Sequence, residues 1–126
     1  MKTIILAAVL CTFQFHHLQA QESPEVLVGS WKLDLTPEDL SDANFAMMKV
    51  KEVKNGKITG IFYRPGVKIQ NGEINTQTGR VYGSLMSKDN SGSYNTAFYY
   101  QDGKLYGSTH AVERGFLSVW VAIRED

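Results

Sequence analysis

One short pattern recurs three times along the chain and governs what it can fold into. Asn55-Gly56-Lys57-Ile58-Thr59-Gly60, Thr78-Gly79-Arg80-Val81-Tyr82-Gly83 and Asp102-Gly103-Lys104-Leu105-Tyr106-Gly107 share a glycine, a basic residue, an aliphatic residue, a variable residue and a second glycine. The leading glycines stand 23 and then 24 residues apart, the length of two strands of roughly 5–10 residues with their turns. Asn-Gly and Asp-Gly suit the type I′ turn, whose two central residues both need positive φ. Each copy is therefore a tight turn feeding a new strand, and the period predicts a meander of hairpins.

The first twenty residues stand apart from that meander. Lys2, the apolar run Ile4-Ile5-Leu6-Ala7-Ala8-Val9-Leu10 and Leu18-Gln19-Ala20 have the order of an export signal, with cleavage expected after Ala20. The run is too short to span a membrane, which takes about 20 residues. Cys11 follows Leu10, where a lipidation signal would place a small residue. The expected organisation is a signal peptide over 1–20 and one domain over 21–126, in a secreted or periplasmic protein.

Removing residues 1–20 takes only Lys2 from the charge count, leaving 12 basic against 13 acidic residues and a net charge of −1. A near-neutral chain without basic runs predicts no nucleic-acid partner and no membrane insertion. The same cut removes the single cysteine, so no disulfide, cysteine–zinc site or thiol nucleophile remains.

Eight strands are expected, at about 26–35, 45–54, 57–64, 67–75, 80–88, 93–101, 104–112 and 116–125. Trp31-Lys32-Leu33-Asp34-Leu35 alternates apolar and charged residues, the mark of a half-buried strand. Thr36-Pro37-Glu38-Asp39 has the chemistry of a capped helical turn between strands one and two. In strand two Val53 breaks the alternation, which suggests a bulge. Asn71-Gly72 inside strand four could be a turn of its own. The expected fold is all-β: an eight-stranded antiparallel up-and-down barrel with one short helical turn, a two-sheet sandwich being the competing architecture. The repeat turns fall at one end, and 36–44, 64–66, 89–92 and 113–115 at the other, where a cavity would open under the 36–44 loop.

Gly60, Gly83 and Gly107 lie on the same face as Ile58, Val81 and Leu105, which predicts either tight curvature near the closed end or room left for a ligand. That face continues through Phe62, Leu85 and Thr109. For strand six either Ser93, Asn95, Ala97 and Tyr99 or Tyr94, Thr96, Phe98 and Tyr100 could point inward.

Gly29-Ser30-Trp31 at the start of strand one and Arg124 at the end of the last strand resemble the lipocalin and avidin (calycin) barrels. The resemblance implies that Trp31 plugs the closed end and Arg124 packs across it. Gly56-Lys57-Ile58-Thr59-Gly60-Ile61-Phe62 is similar to the avidin hairpin of strands two and three, and Trp120 with Arg124 to the late tryptophan strand. The likeness favours Ser93, Asn95, Ala97 and Tyr99 as the inward residues of strand six. Phe62 and Leu33 stand where avidins place polar ligand contacts, so the ureido chemistry of biotin is unmatched.

These readings give an exported, non-catalytic barrel that binds a small, partly apolar ligand through Phe62, Leu85, Asn95, Thr109 and Trp120. No metal and no cofactor is expected. His110 is the only histidine after residue 20, so a multi-histidine zinc site cannot form in one chain, and a surface or wall position is expected for it. The alternative is a secreted or cell-envelope interaction module with a filled interior, an inhibitor or a subunit. Strand eight is apolar on both faces, and Leu117, Val119, Val121 and Ile123 are expected to form a homo-oligomer interface.

Overall fold

The computed structural model describes residues 22–125. The expected export signal lies outside the described residues. The chain forms a closed eight-stranded antiparallel barrel in sequence order: β1 (Gly29–Asp34), β2 (Phe45–Lys54), β3 (Lys57–Tyr63), β4 (Gln70–Asn75), β5 (Tyr82–Asp89), β6 (Gly92–Gln101), β7 (Lys104–Ala111) and β8 (Phe116–Arg124). β8 closes on β1 with Trp31 opposite Arg124 and Leu33 opposite Ala122, so no strand edge is left unpaired.

The repeat turns do what their dipeptides require. Asn55 and Asp102 have φ of 53° and 52°, each followed by a glycine with positive φ, as type I′ geometry demands. The bulge expected near Val53 is a register shift between Val50 and Glu52. Gly60 lies opposite it with φ of 151°, and any Cβ there would overlap the Lys49 carbonyl. Asn71-Gly72 is not a hairpin: Asn71 has φ of 50° and sits in a register shift between Gln70 and Glu73.

The expected turn between β1 and β2 is present, and a further helical element stands where none was expected. Between β1 and β2 the chain makes two consecutive four-residue turns, with the Asp39 and Asp42 amides donating to the Thr36 and Asp39 carbonyls at 3.0 and 3.1 Å. Thr36 does not cap them; its hydroxyl donates to the Asp42 carbonyl at 2.9 Å. The one 3₁₀ helix among the described residues precedes β1, at Pro24–Leu27. β1 therefore starts at Gly29 rather than Val26, and Leu27 of the preceding helix is fully buried. Helix and barrel are tied together, since the Trp31 indole donates to the Leu27 carbonyl at 2.9 Å.

Candidate functional site

The lumen is filled by its own side chains. From the closed end upward, Leu27, Trp31, Val81, Leu105, Phe98, Trp120, Phe62 and Leu85 are each at most 3% exposed. The inner glycines make this filling feasible. A Cβ on Gly83 would overlap the Phe98 ring, and one on Gly107 the Trp120 indole. The space that Gly83 and Gly107 leave is taken by aromatic rings from the neighbouring strands and is not left open for a ligand.

The closed end is built around Trp31 and Arg124. The Arg124 guanidinium lies 4.2 Å from the Trp31 ring centroid. It donates to the Val28 carbonyl at 2.8 Å and also to that of Val26. Tyr100 meets Trp31 edge-on at 6.5 Å.

The five expected ligand residues do not share one pocket. Phe62 and Thr109 line a cavity of about 100 Å³ at the open end, together with Leu33, Tyr63, Arg114 and Phe116. No residue of the 36–44 loop lines it. Leu85 and Trp120 are packed in the core below. Asn95 points outward and is exposed, because Tyr94, Thr96, Phe98 and Tyr100 form the inner face of β6. Serine, asparagine and alanine look inward-compatible by size, but the larger aromatic set gains more by burial. Thr109 is held by two partners: the Trp120 indole donates to its hydroxyl at 3.0 Å, and the Thr96 hydroxyl is 2.9 Å away. His110 is exposed on the outer face of β7.

Around the open rim a carboxylate gathers three elements. The Asp89 side chain, 4% exposed, accepts from the Tyr63 hydroxyl at 2.6 Å, the Tyr94 hydroxyl at 3.1 Å and the Ser91 amide at 2.8 Å. Arg64 adds its charge at 3.6 Å. The Tyr63 hydrogen bond, helped by the Ser91 amide, Tyr94 and Arg64, pulls the Asp89 carboxyl down to about 2. Holding its proton against that carboxylate pushes Tyr63 up. Sequence pattern alone does not reveal this cluster, because Tyr63 comes to Asp89 and Tyr94 from a strand 26 residues away. Neighbouring Ser87 is buried, and its hydroxyl has no partner among the described residues.

The larger concavity is outside the barrel. An open groove of about 890 Å³ runs across β5–β8, with Ser84, Ala97 and Ser108 along its floor and Tyr82, Tyr99 and Tyr106 along one wall. Tyr99 and Tyr106 stack at 5.4 Å, with Tyr82 5.9 Å from Tyr99. Leu117, Val119 and Ile123 stand 62, 61 and 50% exposed beside it, and Val121 is partly covered. Glu73 at the β4 margin forms an ion pair with Lys57. The segments of β5–β8 that line the groove carry no charged side chain. Among the described residues no cluster of histidine, cysteine or carboxylate side chains could hold a metal ion, and no helix is long and apolar enough to cross a membrane. Compared with protein-family models, with curated proteins and with solved structures, the chain matches none of them.

Proposed function

We propose that this chain is an exported, non-catalytic interaction module that works through the outer surface of its barrel rather than through its lumen. One observation carries the reading: aromatic and aliphatic side chains pack the interior and the open-end cavity measures only about 100 Å³, while the outer face of β5–β8 holds an apolar, tyrosine-walled groove. Ligand pockets ordinarily offer about 300–1,000 Å³ and enclose most of their ligand. Uncharged faces rich in tyrosine and aliphatic side chains have the composition of protein-interface cores. The N-terminal signal pattern supports a secreted or periplasmic location.

A second reading has one specific support. The open-end cavity is lined by Phe62, Thr109 and Phe116, with Arg114 at its edge, which suits a small apolar group carrying an acceptor or an acid. Native mass spectrometry and Trp120 fluorescence against a panel of small monocarboxylates and aromatics separate the two. The outer-surface reading expects no saturable one-to-one complex; such a complex would overturn it in favour of the cavity.

A further inference from the structure

We infer that the outer groove holds an extended acidic segment of a partner protein, with aliphatic side chains between its carboxylates. This rests on the preceding reading that the barrel's outer surface is the working one, and it names the partner's chemistry. The groove does not end at β8. A second concavity of about 500 Å³ shares Tyr106 and Val121 with it and continues over β1 to Phe45 on β2. From Tyr82 to Phe45 the path crosses six of the eight strands. That is five steps of about 4.8 Å, which an extended segment of about seven residues spans. Such a path curves with the barrel wall. A lipid surface or a rigid second barrel touches only part of it, whereas a flexible segment follows it.

Charge identifies the segment. The groove floor is uncharged, but its closed-end bank is not. Register sets Gln101, Lys104, Ile123 and Lys32 in one cross-strand row. Arg80 extends that bank, with its guanidinium 4.7 Å from the Tyr99 ring centroid, and the Lys32 ammonium lies 4.2 Å from that of Phe45. Among the described residues none of these three cations is in an ion pair. The carboxylates that line the two concavities are Asp34 and Glu73. Asp34 accepts from the Thr36 amide at 3.0 Å, and Glu73, at the far margin, is paired with Lys57. The bank is therefore complementary to carboxylates.

The apolar side chains separate a peptide from other polyanions. Ile123 stands between the two lysines, and Val121 and Val119 precede it on the outer face of β8. A sulfated polysaccharide or a nucleic acid has no aliphatic group to place against them. Base stacking also needs free ring faces, and Tyr99 and Tyr106 turn theirs to each other, 5.4 Å apart with planes at 21°. Successive side chains of an extended segment point to opposite sides. One side sets carboxylates toward the cations, and the other sets aliphatic groups over Ser84, Ala97 and Ser108 on the floor.

Fluorescence polarisation of a labelled peptide alternating glutamate and valine is expected to show saturable binding that weakens as salt rises. Lys104→Glu reverses one charge of the bank and is expected to weaken binding roughly tenfold. Ala97→Tyr fills the floor and is expected to weaken it as well. Lys88→Glu makes the same change in net charge at the open end of β5 and is expected to leave binding as it is. All three positions are exposed, so circular dichroism is expected to match the wild type. In the wild type itself, nuclear magnetic resonance shifts are expected at Tyr82, Tyr99 and Tyr106. A peptide that does not saturate, that binds both groove variants as well as the wild type, or that shifts none of these tyrosines overturns the inference. So does an alternating lysine–valine peptide, an oligonucleotide, a sulfated polysaccharide or an anionic vesicle that binds as tightly. None of these results is the lumenal complex that would overturn the broader reading, so the two failures are told apart.

Discussion

Asp89 joins the end of β5 to the end of β3 through Tyr63, to β6 through Tyr94 and to its own turn through the Ser91 amide. Its carboxyl titrates near 3.8 when free of these partners and at about 2 in the folded barrel. A depressed folded value means that the ionised form is favoured by folding. The stabilisation is therefore complete above about pH 3.8 and lost as the pH falls towards about 2. Thermal melts of the wild type are expected to drop through that window. Asp89→Asn keeps the size but not the charge, so it is expected to melt lower at neutral pH and to lack this part of the acid limb. Equal acid limbs in the two proteins would disprove the account. The sequence shows Asp89-Asn90-Ser91-Gly92 as a turn, but the two tyrosines that make its aspartate matter lie on other strands. A comparable limit affects the glycines. Gly60, Gly83 and Gly107 look alike in their repeats, yet Gly60 answers to a backbone approach at a bulge and the other two to rings. What fills the space above a glycine is decided by the neighbouring strand, and a pattern within one strand does not contain it.

At the scale of elements, turn chemistry was the readable part. Asn55-Gly56 and Asp102-Gly103 locate β2–β3 and β6–β7 because few residues tolerate the backbone those turns need. The facing of β6 was not readable, since alternation identifies an inner face only when the outer one is polar. Here Ala97 and Tyr99 face outward into the groove, so both faces of β6 look half-apolar. The Pro24–Leu27 helix escaped for a related reason: four residues carry no periodicity, and its place was decided by one side chain, Leu27, entering the closed end. Leu27 is fully buried against the core and Trp31 hydrogen-bonds its carbonyl. Leu27→Ala keeps that hydrogen bond and removes the plug, at an expected cost of about 2–5 kcal/mol. Its neighbour Val28 is 40% exposed, and Val28→Ala is expected to change stability by only about 0.5 kcal/mol. Urea denaturation of the pair checks this; similar midpoints would mean that the helix merely rests on the barrel.

For the whole molecule, closure and filling are separate properties, and only closure follows from the hairpin count. Eight strands in sequence order can enclose a hollow or a packed core; the difference lies in which side chains reach the axis. Here Trp31, Phe62, Phe98 and Trp120 reach it from four strands, with Phe62 and Phe98 6.1 and 6.3 Å from Trp120. Phe62 separates that cluster from the open-end cavity it also lines. Removing its ring is therefore expected to merge a new void with the existing one of about 100 Å³, beyond the roughly 150 Å³ at which an apolar cavity stays dry and takes up benzene. Phe62→Ala is expected to cost about 3–5 kcal/mol, and benzene should return part of that loss by binding only the folded form. The wild type, packed where the variant is empty, should show no rise in melting temperature with benzene. Should Phe62→Ala prove too unstable to melt cooperatively, Phe62→Leu makes a smaller void at lower cost and should respond more weakly. A wild-type protein that benzene stabilises as much as the variant would mean that the barrel is hollow after all, and its working surface would then lie inside.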